Sequence, residues 1–415
     1  MSTIPLRERL GPLVERQYRL LFAATTITTI GDAVAGIALA FAVLDLPGAR
    51  ATDLGIVLAT RQAANAAVLL FGGVLADRLP RQHVLAVASL VQGGAQAATA
   101  GFVLSGHASV ALLAGLQGAY GAGQGFVAPA EVGLVPQTVS PERLQQANAL
   151  RGMTRNLLFV LGPALGGAIV VAAGPGTALL IDACSFVLAA LLLDRIVLAP
   201  RTAIVPRSRF FQELREGWRE FVSRAWLWTS VVLFGVGNVF FMFWIVLGPL
   251  EAKERLGGAG AWATILAANG LGAAVGGAVA YRYRPSRPLV AAVLWPTLYV
   301  LQLVALAAGA PTWLIAAASF VAGLAIAVHL TLWYTILQTE VPERAQSRVS
   351  SYDALGSFVL TPLGTAVAGP LAAGLGTSNA LWLATGAILV SNTSILLVPS
   401  VWTIRRRDAA TTLAP

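Results

Sequence analysis

Charge is scarce in this chain. Only 11% of its 415 residues are Asp, Glu, Lys or Arg, against roughly 25% in ordinary globular proteins. That excludes a conventional soluble exterior for so long a polypeptide. Lysine is nearly missing, with Lys253 alone beside twenty-seven arginines. Cysteine is missing but for Cys184, so no intrachain disulfide can form; its apolar surroundings suggest a buried small residue. The three histidines His83, His107 and His329 stand far apart, and no cluster has metal-ligand spacing. No GxxxxGK[ST] phosphate loop is present, which argues against built-in ATP hydrolysis. No nucleophile–base arrangement points to an enzyme, and no cofactor is implied. The net charge of +9 raises nucleic acid as a partner, but the arginines recur in short breaks between apolar runs, not in a basic domain. Residues 1–16 are polar and charged, and the hydrophobic stretch behind them is too long for a signal-peptide core. The first helix is therefore expected to stay in the protein.

What is abundant is apolar sequence. Hydrophobic residues make up 57% of the chain, and the mean hydropathy is +0.74. Apolar runs cover approximately 18–42, 54–75, 83–105, 109–134, 145–171, 177–197, 226–249, 260–280, 287–308, 312–337, 346–371 and 377–401. Each is long enough, at about 20 residues or more, to cross a hydrocarbon core about 30 Å thick as a helix. Strict alternation is absent, which excludes a membrane β-barrel. The 42 glycines and 21 prolines suit helices that pack closely in lipid. The expected fold is an all-α integral membrane protein with twelve transmembrane helices in two six-helix bundles. Arginines cluster before the first span, after the second, between the sixth and seventh, after the eighth and after the last. An even number of spans puts all of them on one side, cytoplasmic by the positive-inside rule, with both termini.

Two halves are legible. GGVLADRLPRQ at 72–82 has an altered copy, GGAVAYRYRPS, beginning at Gly276, a lag of 204 residues. Pro141-Glu142-Arg143 returns as Pro342-Glu343-Arg344 at a lag of 201. Six spans repeated in the same order imply two bundles in parallel topology. The expected division is an N-terminal bundle over 1–198, a linker over 199–225 and a C-terminal bundle over 226–415. Within the linker Phe210, Phe211, Leu214, Trp218 and Phe221 recur near helical spacing, as in an amphipathic interfacial helix. The copies differ at Asp77, which aligns with Tyr281. A carboxylate there either assists topology or latches a conformation by accepting hydrogen bonds from another helix or pairing with an arginine.

GGVLADRLPRQ resembles the helix 2–3 signature of the major facilitator superfamily, G-x-x-x-D-R/K-x-x-R-R/K. Gly73, Asp77, Arg78 and Arg81 match, while Gln82 replaces the last basic residue. TTITTIGDAVAGIALAFAVLDL, GFVAPAEVGLVPQTV and ANALRGMTRNLLFVLGPALGG look like the multidrug and siderophore exporter branch of that superfamily in bacteria. The resemblance implies the major facilitator fold in the bacterial inner membrane. It also implies alternating-access efflux of small amphipathic molecules, driven by the proton gradient as drug/proton antiport. Export of a siderophore or other endogenous metabolite, or proton-coupled uptake, are the alternatives. The partners implied are such a substrate, protons and lipid, with a monomer expected because one chain holds both halves of the path. Gln117 stands near the position where the family's fourth-helix pattern carries arginine, which puts the usual proton relay in doubt. Gly162-Pro163 with Gly166 and Gly167 resembles the exporters' glycine–proline signature, and Pro362 lies in a related stretch of the second half. Such residues allow helices to flex and approach closely.

Charges inside the spans are the remaining candidates, because an intramembrane charge should face the protein and find a partner. Asp32 lies about fourteen residues, or roughly 21 Å, into the first span, and Arg61 about seven into the oppositely directed second. Their depths coincide, so they are expected to pair, either as a fixed structural contact or as a proton-responsive one. Glu131 near the end of the fourth span faces Arg151 and Arg155 in the fifth in depth, giving an ion network that is either a gate or static packing. Asp182 and Asp353 complete the set. Asn238, Phe241, Trp244, Asn269, His329, Trp333 and Tyr334 are expected around an adaptable apolar cavity.

Overall fold

The computed structural model describes residues 11–198 and 210–405, and only the backbone of 70–78, 210–214, 343, 344 and 347 within its helices. Among the described residues there are helices and no strands. Six spans come first: α1 (Arg16–Leu44), α2 (Ala51–Arg78), α3 (Arg81–Leu104), α4 (Val110–Thr138), and then α5 and α6 within Leu144–Asp194. That last stretch is broken at Gly174, whose φ of 79° and ψ of 164° lie outside the helical region and in a zone open mainly to glycine. Pro175 then begins α6, since a first-turn proline forfeits no hydrogen bond. A short helix α7 (Phe210–Val222) precedes six more spans: α8 (Ala225–Glu251), α9 (Ala259–Arg282), α10 (Pro288–Ala307), α11 (Thr312–Glu340), α12 (Glu343–Leu375) and α13 (Thr377–Thr403). Gly376, at φ 85°, makes the same break between α12 and α13 that Gly174 makes between α5 and α6, at a sequence lag of 202. The repeat thus extends to the backbone.

The spans are held by close approach. Lipid is as apolar as leucine, so helix association in a membrane rests on van der Waals packing and interhelical hydrogen bonds, not on exclusion from water. In the first unit, a Cβ added at Gly121 of α4 would lie 2.0 Å from the carbonyl oxygen of Arg61 in α2. In the second, one added at Gly323 of α11 would lie 1.9 Å from the carbonyl oxygen of Asn269 in α9. Gly162 and Gly166 of α5 seat that helix on Ala33 and Val34 of α1. Gly364 of α12 does the same on Val239 of α8. Pro362 stands in the first turn of the second helical stretch of α12, Thr361–Leu375, after the break at Val359 and Leu360, so it starts a helix and does not interrupt one.

Each half also carries one buried amide clasp between neighbouring spans. Gln117 of α4 donates from Nε2 to Gln96 Oε1 of α3 at 3.0 Å, and Ser319 of α11 donates to Gln302 Oε1 of α10 at 3.0 Å. Apolar side chains pack around these devices. Tyr18, Leu21, Leu85, Leu134 and Leu193 are buried in one unit, and Leu227, Val328, Trp333 and Ile336 in the other. The outward faces stay apolar, with Leu180, Ile181, Val187 and Leu188 exposed on α6. Cys184 is exposed on that helix too, a correction to the buried position expected for it: in a lipid-facing span an apolar neighbourhood does not imply burial.

The chain divides into units of 1–203 with 252–264, and 204–251 with 265–415. Segment 252–264 therefore groups with the first unit, unlike the simple division at the linker. Lys253 explains this in part: its Nζ lies 2.7 Å from Asp45 Oδ1 and also donates to the Leu44 carbonyl. Ala263 packs under Gly167 as well, where a Cβ would meet its methyl at 2.0 Å. Helix α7 belongs to the second unit. Arg348 of α12 pairs with Glu216 at 3.0 Å, and Tyr352 packs edge-on to Trp218 with ring centroids 5.3 Å apart.

Candidate functional site

The first unit gathers three of its intramembrane charges, Asp32, Arg61 and Asp182, into one polar cluster with Tyr120. Asp32 reaches it from α1, Arg61 from α2, Tyr120 from α4 and Asp182 from α6. Arg61 Nη2 stands 3.9 Å from Asp32 Oδ1, with its guanidinium carbon 3.9 Å above the centre of the Tyr120 ring. Tyr120 donates its hydroxyl to the same Asp32 oxygen. The guanidinium is thus held by a carboxylate at its edge and an aromatic face beneath it, a cation–π geometry that gains strength where water is excluded. Gly121 is what admits it: the backbone of Arg61 lies directly on the glycine next to Tyr120. Asp32 keeps 40% of its side chain exposed and Arg61 17%. The pair is therefore not closed over on every side.

Asp182 is wholly enclosed. It accepts from Gln96 Nε2 at 2.7 Å and from Ser185 Oγ at 3.4 Å. No cation pairs with it among the described residues. Gly31, the neighbour of Asp32, packs against it so closely that an added Cβ would lie 2.2 Å from Asp182 Oδ1. A chain of contacts therefore runs from Thr99 and Gln117 through Gln96 to Asp182, beside the residue that precedes Asp32. Tyr120 and the amides were not singled out from the sequence as site residues. Neutral polar side chains scattered through apolar helices carry little signal by themselves. The recurrence of Gln96 as Gln302, near the repeat lag, is the signal that could have found the amides; Tyr120 has no such echo, since position 322 is alanine.

Nearer the other end of α4, Glu131 and Arg151 form a short charge-assisted contact between α4 and α5, with only 22% and 24% of their side chains exposed. Arg155, one turn along α5, is not drawn into that pair; it stays exposed. Arg81 lies over α4 as well, where a Cβ at Gly133 would fall 1.1 Å from its Nη1. The side chains of Gly73, Asp77 and Arg78, the other members of the hinge motif, lie outside the described residues.

The second-unit candidates are spread through the packing. Asn238 donates to the Ser357 carbonyl at 2.9 Å, and Asn269 to the Ser319 carbonyl at 3.0 Å. Phe241 meets Tyr299 edge-on at 4.9 Å. Trp244 is buried. His329 is buried as well, with Nδ1 2.7 Å from the Ala292 carbonyl, and stacks near Trp333. Trp333 donates its indole N–H to Asp353 at 3.2 Å. Asp353 is accordingly held by an indole, while Arg348 pairs with Glu216. Tyr334 is exposed and lines a cleft of about 140 Å³ with Leu337, Gln338 and Gln346. Trp244, His329 and Trp333 are thus buried in helix packing, and of the seven Tyr334 alone lines that cleft.

With this geometry in place, comparison with known proteins is informative. The family model of the Major Facilitator Superfamily matches residues 21–364. A relative named Enterobactin exporter EntS, from Escherichia coli O1:K1 / APEC, is 28% identical over 378 residues, covering 86% of this chain and 88% of the relative. A protein of the same name from Salmonella paratyphi A is 28% identical over 382 residues, covering 86% and 89%. Among solved structures, a bacterial homologue of the human lysosomal transporter Spinster superposes with a TM-score of 0.71 at 15% identity, over 95% of this chain and 99% of that one. An auto-inhibited peptide transporter of the POT family gives 0.75 at 13% identity, over 96% and 99%. At these identities the structures speak for the fold alone.

Proposed function

The chain belongs to the major facilitator superfamily, and from that premise we propose that it is a secondary exporter of small amphipathic molecules, working by alternating access and driven by proton uptake. Its fold is the twelve-helix, two-bundle membrane fold of that family, and its class is transporter. The observation that carries the coupling is the Asp32–Arg61–Tyr120 contact. A half-open carboxylate in mid-span, with one cation and one phenol as its partners, is a group whose protonation would release the guanidinium. Asp182 adds a second carboxylate with no cation of its own, held by neutral donors. Glu131, Arg151 and Arg155 lie outside this cluster, and the hinge motif with Asp77 serves as the cytoplasmic latch in this reading.

For the substrate, the relatives' name favours a siderophore or similar endogenous metabolite over the drug antiport that sequence resemblance puts first. The protein resides in the bacterial inner membrane with both termini cytoplasmic, the side on which its arginine-rich connections fall. The test is transport in sealed vesicles with pH and electrical gradients imposed separately. Export that responds to the pH gradient in the native protein, and loses proton movement in Asp32→Asn, is expected. Unchanged stoichiometry and rate in that variant would remove Asp32 from the coupling. Export indifferent to both gradients would sink proton antiport altogether.

A further inference from the structure

A cleft of about 250 Å³ opens between α1, α4 and α5 within the first unit. Phe22, Thr25, Thr26 and Thr29 line it from α1, Glu131 from α4, and Asn148, Arg151, Thr154 and Arg155 from α5. Its charge balance is uneven. Glu131 is consumed by Arg151, so the two arginines against one carboxylate leave the cleft with one positive charge in excess, on Arg155.

The hydrogen-bonding inventory then says what would satisfy it. Arg155, Asn148, Thr26 and Thr154 bring donors to the cleft wall. Thr25 and Thr29 have turned their hydroxyl hydrogens back onto the helix, donating to the Leu21 carbonyl at 3.0 Å and the Thr25 carbonyl at 2.6 Å. Their oxygens are left as acceptors. A ligand for this wall carries an anionic oxygen for the guanidinium, hydroxyl donors for the threonine oxygens, and an apolar surface for Phe22. We propose that this cleft is the substrate's anion subsite and that the transported molecule is a hydroxylated aryl or alkyl anion. This rests on the export reading for its role in transport, but not for its chemistry. A lipophilic cation, the other usual cargo of drug exporters, meets a wall of the wrong sign. An anionic lipid headgroup presents the same oxygen chemistry to an exposed arginine, so the test must separate the two sources.

The probe is 4-hydroxybenzoate, which carries a carboxylate, a phenol and a ring small enough for the cleft, with neutral 4-hydroxybenzamide as its counterpart. Binding is measured by calorimetry on the full chain in phosphatidylcholine nanodiscs, and again with phosphatidylglycerol added. Loss of a charge-assisted hydrogen bond predicts at least about tenfold tighter binding of the acid than of the amide, and loss of that preference in Arg155→Ala. Arg155→Lys should retain part of it. The amide's affinity should be the same in all three proteins, which shows that the variants are folded. Equal binding of acid and amide, or an undiminished preference in Arg155→Ala, overturns the proposal. So does loss of acid binding on adding phosphatidylglycerol, which would give the arginine to lipid. Vesicle transport separates this from the export reading. An intact acid preference without gradient-driven export would refute export and leave the subsite standing. Export by a protein indifferent to the probe's charge would refute the subsite alone.

Discussion

Replacing Gly121 by alanine puts a methyl group where α2 already is. The new Cβ would stand 2.0 Å from the Arg61 carbonyl oxygen and 3.1 Å from its Cα. Both are backbone atoms and cannot swing away. To restore even a tight 3.0 Å contact, α2 and α4 must part by about 1 Å, and such overpacking costs about 1–3 kcal/mol. The helix itself gains up to about 1 kcal/mol from exchanging glycine for alanine. Gly115, six residues earlier in the same helix, isolates that second effect, because a Cβ there meets nothing within 4 Å. Gly115→Ala should therefore be neutral or stabilising while Gly121→Ala is destabilising, a contrast of about 1–3 kcal/mol. Thermal unfolding of the detergent-solubilised protein reads this as a gap of several degrees, taking about 2–4 °C per kcal/mol for a unit of this size. The displacement also lifts Arg61 off the Tyr120 ring it lies over, so Gly121→Ala should weaken the proposed proton coupling by more than its stability loss explains. Equal melting of the two variants would refute the claim that α2 and α4 touch backbone to backbone at this point.

Three further outcomes follow from the same contacts. Glu15 accepts from Ser140 N–H at 2.9 Å and Ser140 Oγ at 2.8 Å, with Arg143 at 3.3 Å. Burial alone would raise its carboxyl, but these donors outweigh it and hold the carboxyl below its ordinary 4.5. A depressed carboxylate stabilises the fold above its unfolded value and loses that stabilisation as pH falls through the folded value. The stability difference between native protein and Glu15→Gln, followed by thermal melting, should thus be full at neutral pH, begin to fall near 4.5 and be lost as the pH drops through the lower folded value. Gln117→Leu leaves Gln96 Oε1 without its donor and should cost about 1–2 kcal/mol; Ser319→Ala should do the same to Gln302, and a melting temperature unchanged in both would discount the clasps. Gly31→Ala drives a methyl to 2.2 Å from Asp182 Oδ1, and should lower stability more than alanine at Gly36, where nothing lies within 4 Å.

How much of this was legible in the sequence depended on which physical rule was strict. Helical rise is fixed at about 1.5 Å per residue, so counting residues in two oppositely directed spans was enough to place Asp32 and Arg61 at one depth, and the structure sets them 3.9 Å apart. Apolar runs set the spans for the same reason. Side-chain facing is not strict in a helix that is apolar all round. Trp244, His329 and Trp333 could not be assigned to a cavity or an interface from their spacing, and all three lie buried in the packing. The boundary between units was equally opaque, because the pairing of Lys253 with Asp45 joins residues 208 apart.

The two halves keep their packing and diverge in their charge. Gln96 and Gln302 each accept one hydrogen bond on Oε1, from Gln117 and from Ser319. The remaining amide nitrogen differs. Gln96 Nε2 donates to the carboxylate of Asp182, whereas the side chain of Gln302 has the Tyr299 hydroxyl beside it in place of a carboxylate. The second half thus retains the clasp and lacks the carboxylate that the clasp serves in the first. Tyr120 and its counterpart by the lag that relates Gly121 to Gly323 tell the same story, since position 322 is alanine. In the first unit, then, the clasp serves a second purpose. It occupies Gln96 Oε1, so that an N–H of the same amide is presented to Asp182.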